Sequence, residues 1–393
     1  MNTPVAALRS VPTPTPTPLT QVATIRANLS ARFLEREQEI RGLLVAALAG
    51  EHCLLLGPPG TGKSALARAF ADCLGGANYF EWLLTRFSTP EEVYGPISLA
   101  GLKSDRFRRV TTGKLPECHI AFLDEIFKAN SAVLNSLLAA VNERIFHDDG
   151  AARSIPLLTC VAASNEMPDG PELAALWDRF VLRYSVEYTK AESSFAAMLT
   201  GSGPAPAVGV MSLSEWASAR AEVEAIPVPP DVLSALFSLR SSLDREGVVV
   251  SDRRWVKALK LLRANAWLSG ATAVSPYHME VLCGCLWNTA EQIQTVRAEV
   301  MKLAAAEVLV AEKAGSAAIA LVATLPDGKS REFLDRASSV REELKKALAR
   351  VGEIRSRLTD PGAQARVAQV EGEIRAEGQA LTARIKTAVG LDF

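Results

Sequence analysis

From about Gln21 to Ala49 apolar residues recur near helical spacing. Leu29, Phe33, Ile40, Leu43, Leu44 and Leu48 are separated by Arg and Glu, a pattern that predicts helix. The rhythm then shortens. Cys53–Leu56 is a brief apolar run that ends in a glycine-rich loop. Leu66, Phe70, Cys73 and Leu74 return to helical spacing behind it, so the segment reads strand, loop, helix. Short apolar runs at Phe80–Leu84, His119–Leu123, Leu157–Ala163 and Leu182–Val186 read as further buried strands. Helical stretches lie between them. The clearest is Ser131–Glu143, with Leu134, Leu137, Leu138 and Val141 on one face. Strands alternating with helices predict an α/β fold, a parallel sheet flanked by helices.

The second half reads differently. Thr200–Val210 is rich in Gly, Pro and Ala, and Pro227–Pro230 is another break. From Asp231 to about Leu309 the pattern is helical with no convincing strand, which predicts an all-α domain. A further break falls near Leu325–Asp327. Beyond it Phe333, Val340, Leu344, Leu348, Val351 and Ile354 form one apolar stripe. Val367, Val370, Ile374, Leu381 and Ile385 form a second. Thr359-Asp360-Pro361-Gly362 between them is a turn signal, so the segment reads as an amphipathic helical hairpin. At the other end, Val11–Pro18 (VPTPTPTP) favours extended polyproline II and offers no core. The expected organisation is a disordered or extended leader over 1–19, an α/β domain over 20–200 and a linker over 201–230. An all-α lid over 231–325 and the hairpin over 326–393 complete it.

Composition narrows this. Apolar residues make up 48% of the 393, enough for a sizeable core. Net charge is −1, and residues 331–393 mix 12 Lys/Arg with 10 Asp/Glu. That balance lacks the basic excess of a phosphate-backbone binder, so nucleic acid is not the expected partner. Six cysteines in so long a chain do not make a disulfide framework, and the Cys283/Cys285 pair has no second pair to complete a zinc site. The longest apolar runs, such as Ala317–Leu325, fall far short of the ~20 residues of a membrane span. No apolar signal core stands near residue 1. A cytoplasmic location is expected.

The glycine-rich loop carries the first chemistry. Gly57-Pro58-Pro59-Gly60-Thr61-Gly62-Lys63-Ser64 fits G-x-x-x-x-G-K-[ST] at every position, with Ala65 continuing into the helix. The glycines let backbone N–H groups face anionic oxygens, and the helix start adds its positive end. Lys63 is expected to reach the β- and γ-phosphates, and Ser64 to place its hydroxyl on Mg²⁺. A hydrolytic site also needs a second metal carboxylate and a group that orients water. Asp124 and Glu125, at the end of the run His119–Leu123, supply both: Asp124 for the metal, Glu125 for the water.

These residues resemble Walker A and Walker B of the AAA+ superfamily. Phe80–Pro96 (FEWLLTRFSTPEEVYGP) and Asp124–Ser131 (DEIFKANS) are similar to its MoxR group. Asn142-Glu143-Arg144 and Ser251-Asp252-Arg253-Arg254-Trp255 resemble the RavA-like subfamily. The likeness spans roughly residues 20–310. It implies an AAA+ parallel sheet followed by an all-α lid, with ATP and Mg²⁺ as cofactors. It implies that Asn165 is the first sensor, hydrogen-bonding the γ-phosphate or the lytic water. Arg179 stands at the arginine-finger position and would act on a neighbouring subunit's ATP, with Arg183 and Arg144 as alternatives. Arg253 matches the second sensor, with Arg254 as the competing choice. Residues near Pro96–Leu115 look like the helix-2 insert, and His147–Pro156 like the pre-sensor hairpin, with a turn at Asp149-Gly150. Arg106, Arg108 and Arg109 in the first insert could meet an acidic partner or simply be solvated.

The resemblance further implies a hexameric ring that remodels or activates a client protein in chaperone-like fashion. The partner it suggests is a separate von Willebrand factor A-domain protein carrying a metal-ion adhesion site. Two departures stand out. The small, partly β domain of RavA-like proteins has no counterpart in the helical pattern of residues 331–393, and the proline-threonine leader is not part of the family pattern. Two other functions compete: a DNA-acting AAA+ motor, disfavoured by the near-neutral charge, and a stand-alone nucleotide switch, weakened by the absence of an Asn-Lys-x-Asp motif.

Overall fold

The computed structural model describes residues 16–168, 170–201, 206–326, 331–358 and 361–389. Its centre is a five-stranded, all-parallel sheet of β1 (His52–Leu56), β2 (Tyr79–Leu83), β3 (Ile120–Asp124), β4 (Thr159–Ser164) and β5 (Phe180–Ser185). Their spatial order is β2-β3-β4-β1-β5. β1 and β4 are buried at every position and β3 at all but its last, so both faces are covered, as a parallel sheet requires. The α/β reading with a helical lid holds. Strand boundaries move by one or two residues: the run at Leu182–Val186 is a strand that starts at Phe180.

The helical pattern of residues 21–49 resolves into two helices, Pro18–Arg32 and Glu37–Ala49. Glu35 breaks them, with φ at 58°. Its carboxylate accepts hydrogen bonds from the backbone N–H groups of Lys190 (2.8 Å) and Ala191 (2.9 Å). The stretch 201–230 is not simply a linker. It contains the helix Leu213–Ala225, opened by a capping box between Ser212 and Glu215. The lid follows as helices Pro230–Arg245, Asp252–Leu268 and Gln292–Ala304, with a 3₁₀ segment at Pro276–Gly284.

The C-terminal hairpin is part of a three-helix bundle. Helices Arg331–Arg357 and Pro361–Val389 pack on each other and on Ala306–Ala323, which sequence pattern assigned to the lid. Val308, Ala311, Phe333, Val351, Val367 and Ile374 belong to a core distinct from the one shared by sheet and lid. The leader up to residue 15 and the turn residues Thr359 and Asp360 lie outside the described residues. All six cysteines are free thiols, and no described helix is long and apolar enough to cross a membrane.

Candidate functional site

Three neighbouring strands, β3, β4 and β1, end on the same edge of the sheet and carry the phosphate-loop chemistry there. Leu56 pairs with Ser164 and Leu123 with Ala162. The N–H of Gly57 donates to the Ser164 carbonyl at 2.9 Å. That register sets the start of the loop, Asn165 and Asp124 on adjacent strand ends, about 4.8 Å apart per strand.

The loop geometry follows from its glycines. A Cβ on Gly57 would stand 2.0 Å from the Val186 carbonyl oxygen, so no side chain fits. Gly62 takes φ 82° at the cap of the helix Lys63–Cys73, a left-handed conformation that favours glycine. The Lys63 ammonium donates to the carbonyls of Gly57 and Pro58, both at 2.8 Å, and the Thr61 hydroxyl to Pro58 at 3.0 Å. Burial lowers the Lys63 ammonium from its ordinary pKa, while the charges of Asp124 and Glu125 oppose that fall. Pro59, Gly60 and Ala65 are exposed, and Ser64 is half-buried at the start of the helix.

At the end of β3, Asp124 accepts the N–H of Glu125 at 3.0 Å. Glu125 has φ 51° and ψ 44°. Its Oε2 lies 3.3 Å from the Lys128 ammonium, but makes no hydrogen bond. Asn165 is exposed, and the turn after it is braced by Ser164, whose hydroxyl donates to Glu166 O at 2.8 Å. Ser64 and Asp124 together offer an alcohol and a carboxylate oxygen. That is a hard-oxygen pair suited to Mg²⁺, which usually completes its shell with phosphate and water.

The two implied arginines lie elsewhere. Arg179 immediately precedes β5, whose first residue Phe180 is registered with His52, the first residue of β1. It therefore sits at the opposite end of the sheet from the loop that follows Leu56, ~16 Å away along five residues. Arg253 opens the lid helix Asp252–Leu268 on that same end. Its neighbour Ser251 donates to Asp178 at 3.0 Å, and Arg254 pairs with Asp178 at 2.7 Å. The lid helix approaches the N-terminal strand ends, where Glu51 binds Lys257 (2.7 Å) and Lys260 (3.2 Å).

The competing arginines are engaged otherwise. Arg183 is buried, donates to the carbonyls of Phe180, Trp177 and Trp287, and stacks 4.3 Å over Trp177. Burial pulls its guanidinium down to about 9. Arg144 donates to the Leu157 and Gly50 carbonyls. Arg254 is buried, and besides Asp178 it binds Asn288 at 2.7 Å. Arg179, by contrast, has a buried Nε with no hydrogen-bond partner, and Arg253 is exposed.

The two inserts adjoin. Strands Ile145–Asp148 and Ala151–Ser154 form an antiparallel hairpin that turns at Asp149 and Gly150. Its carboxylates reach the first insert: Asp149 accepts from Phe107 N (2.9 Å) and Asp148 from Arg109 N (2.8 Å). Arg108 pairs with Asp149 at 3.4 Å, and Arg109 donates to Gly95 O at 2.8 Å. Two of the three insert arginines are thus held by the protein itself. Sequence reading missed this junction, and also missed Lys128 and the Glu51 latch. Asp148-Asp149 facing an Arg-rich insert was the available signal for the first; nothing in the sequence pointed to the others.

A family model described as the MoxR domain in the MoxR-vWA-beta-propeller ternary systems matches residues 20–206, and a model of the AAA lid domain matches 231–300. The C-terminal bundle lies beyond both. Two uncharacterized proteins of Methanocaldococcus jannaschii are 38% and 37% identical, covering 71% and 69% of this chain and 74% and 71% of their own lengths. Protein MoxR of Paracoccus denitrificans is 29% identical over 64% of this chain and 82% of its own. The crystal structure of a protein from Cytophaga hutchinsonii superposes with a TM-score of 0.61 at 16% identity. It covers 73% of this chain and 94% of that one, a likeness of fold.

Proposed function

The chain belongs to the MoxR-type AAA+ ATPases, and from that premise we propose that it hydrolyses ATP in sites shared between subunits. One observation carries this reading: Lys63, Ser64, Asp124, Glu125 and Asn165 share one end of the sheet, while Arg179, whose buried Nε has no hydrogen-bond partner, stands at the other. No subunit can bring its own Arg179 to its own phosphate loop. In this reading the loop Gly57–Ser64 and the start of the helix hold the phosphates, and Ser64 and Asp124 hold Mg²⁺. Glu125 polarises water, and Asn165 hydrogen-bonds the γ-phosphate. Arg179 reaches the neighbour's γ-phosphate, and Arg253, on the same face, goes with it. Mg²⁺ held by Ser64 and Asp124 would, when bound, neutralise phosphate charge.

A closed hexameric ring fits such head-to-tail use of two faces. The proposed work is chaperone-like remodelling of a client by a cytoplasmic motor. A von Willebrand factor A-domain protein as partner is supported by the description of the matched family, whose MoxR domains belong to systems with a vWA component. Kinship to the RavA-like subfamily rests on Asn142-Glu143-Arg144 and Ser251–Trp255 alone, and in both segments one arginine is engaged in packing the fold.

Mixing two inactive variants tests the shared site. Glu125→Gln lacks the base and Arg179→Ala lacks the finger. Alone, Arg179→Ala should lose about 10³-fold or more of the wild-type rate, the scale of an arginine finger, and Glu125→Gln about 10²–10⁴-fold, the scale of a general base. A mixture should recover activity, because some interfaces pair an intact Glu125 with an intact Arg179. A mixture no faster than its parts, under conditions where the subunits exchange, would refute catalysis in trans.

A further inference from the structure

Arg179 sits on a corner that the fold grips from both sides. The helix Pro171–Trp177 ends at Trp177 and β5 starts at Phe180, so Asp178 and Arg179 are the whole connection. The buried Arg183 guanidinium donates to the carbonyls of Trp177 and Phe180, the residues flanking that connection. It also donates to the carbonyl of Trp287 in the lid. The rings of Trp177 and Trp287 meet edge to face, 5.5 Å between centres, and Arg183 lies over both. The Arg179 N–H itself donates to the Leu176 carbonyl at 3.0 Å.

The remaining hold on the corner comes from the lid. Arg254 Nη2 donates to Asp178 Oδ1 at 2.7 Å, and the Ser251 hydroxyl donates to the same oxygen at 3.0 Å. Arg254 Nη1 donates to Asn288 Oδ1 at 2.7 Å, and Asn288 Nδ2 donates to the Val249 carbonyl at 2.8 Å. Arg254 is only 3% exposed. A guanidinium so buried and so committed does not extend to a phosphate. Buried pairs of this kind contribute little net stability, because desolvation offsets the attraction. Their directional contacts nevertheless fix where Asp178 stands.

We infer that Arg254 is a positioning residue for Arg179: by holding Asp178, the lid sets the backbone from which Arg179 reaches the neighbouring subunit's ATP. The inference rests on the shared-site reading above and adds to it the means by which the finger is aimed. An arginine side chain is long, so its tip is placed only as well as its backbone is. Catalytic groups must be held to within about 0.5 Å, and a misplacement of ~1 Å costs about 10²-fold in rate. Asp178 is joined to Arg179 by a single peptide, so a shift of its carboxylate passes directly into the finger. Lid and finger thereby move as one body.

The test alters each end of the contact. Arg254→Met removes the charge and keeps an unbranched side chain. Asp178→Asn keeps an oxygen for Ser251 and decides the matter if Arg254→Met fails to fold. Each should bind ATP with wild-type affinity and lower kcat by about 10–10²-fold. KM should stay unchanged, as for an interaction felt only in the transition state. Mixing shows which half of the shared site is damaged. With Glu125→Gln, which supplies an intact Arg179, either variant should regain turnover. With Arg179→Ala neither should exceed its own rate, since no finger in that mixture is well placed. The reverse pattern would put Arg254 to work at its own subunit's nucleotide and overturn the inference. Recovery in neither mixture, full turnover of both variants alone, or loss of ATP binding by Asp178→Asn would reduce the contact to a structural one and overturn it equally. The mixture of Glu125→Gln and Arg179→Ala separates the two ideas. Recovery there with the wrong pattern here removes only the positioning role, and no recovery there removes the shared-site reading beneath it.

Discussion

Glu125 holds its backbone at φ 51° and ψ 44°, where a non-glycine residue pays roughly 1–3 kcal/mol. The Asp124 carboxylate helps to hold it there by accepting its N–H. The bend turns the chain out of β3 so that two successive carboxylates have different surroundings. Asp124 is committed to the strand end, while Glu125 lies beside the ammonium of the exposed Lys128. A proton-accepting role for Glu125 makes a specific demand. Glu125→Gln should bind ATP as the wild type does but hydrolyse it about 10²–10⁴ times more slowly. Nucleotide-binding titration beside a phosphate-release assay measures both, and ordinary turnover would remove the assignment.

His52 illustrates a residue whose chemistry is structural. Its ring is buried, with Nε2 2.5 Å from the Val141 carbonyl and Nδ1 accepting the Cys160 N–H at 3.0 Å. Burial, assisted by the charge of Arg144, pulls its pKa down to about 3 from 6.5. A protonated ring could not accept from Cys160, so the folded state keeps His52 neutral. Its contribution to stability is complete above pH 6.5 and is lost as pH falls from 6.5 toward 3, because the unfolded chain binds the proton first. Wild type should therefore lose up to about 1.4 kcal/mol per pH unit more than His52→Gln across that window. Urea unfolding at pH 7.5, 5.5 and 4.5 checks it, and parallel losses in the two proteins would show that His52 is not the titrating group.

At the scale of elements, legibility depended on whether a local signal sufficed. The hairpin after Ser131–Glu143 was readable because Asp149 and Gly150, at φ 54° and 75°, suit a tight turn of two left-handed residues. Its union with the first insert was not readable, since hydrogen bonds between residues 40 apart leave no periodicity. The helix Leu213–Ala225 went unread because only Trp216, Ala219 and Val223 are buried. The Ser212-x-x-Glu215 box was there to be found. The third helix of the C-terminal bundle hinges on Gly315. A Cβ there would stand 2.6 Å from Cγ1 of Val370 and 3.4 Å from Cδ1 of Ile374. Gly315→Leu should overpack this contact and cost about 1–3 kcal/mol. Limited proteolysis of the full chain should show the bundle cut faster with ATP binding unchanged; unaltered protection would mean that the helices part without cost.

For the whole molecule, the decisive feature is polarity. Parallel strands end together, so whatever follows them collects at one edge, and whatever precedes them collects at the other. That rule makes Gly57, Asp124 and Asn165 neighbours although more than 100 residues separate the first from the last. It also sends Arg179 away from them. The lid obeys the second edge, fastened where the buried Glu51 carboxylate receives Lys257 and Lys260. Arg253 follows the lid to that edge, an outcome no spacing along the chain conveys.

The sequence by itself determined the phosphate loop, the Asp-Glu pair, the alternation of strand and helix, and hence the sheet and the class of chemistry. All of these depend on residues close in sequence, where backbone geometry and hydrophobic period act directly. Tertiary structure alone decided which arginine was unpaired, where the lid attached, and that the Ala306–Ala323 helix joins the bundle. Those outcomes turn on the burial of particular side chains against distant partners. Arg144, Arg183 and Arg254 look like Arg179 in a sequence, and only packing against carbonyls, tryptophans and Asp178 sets them apart.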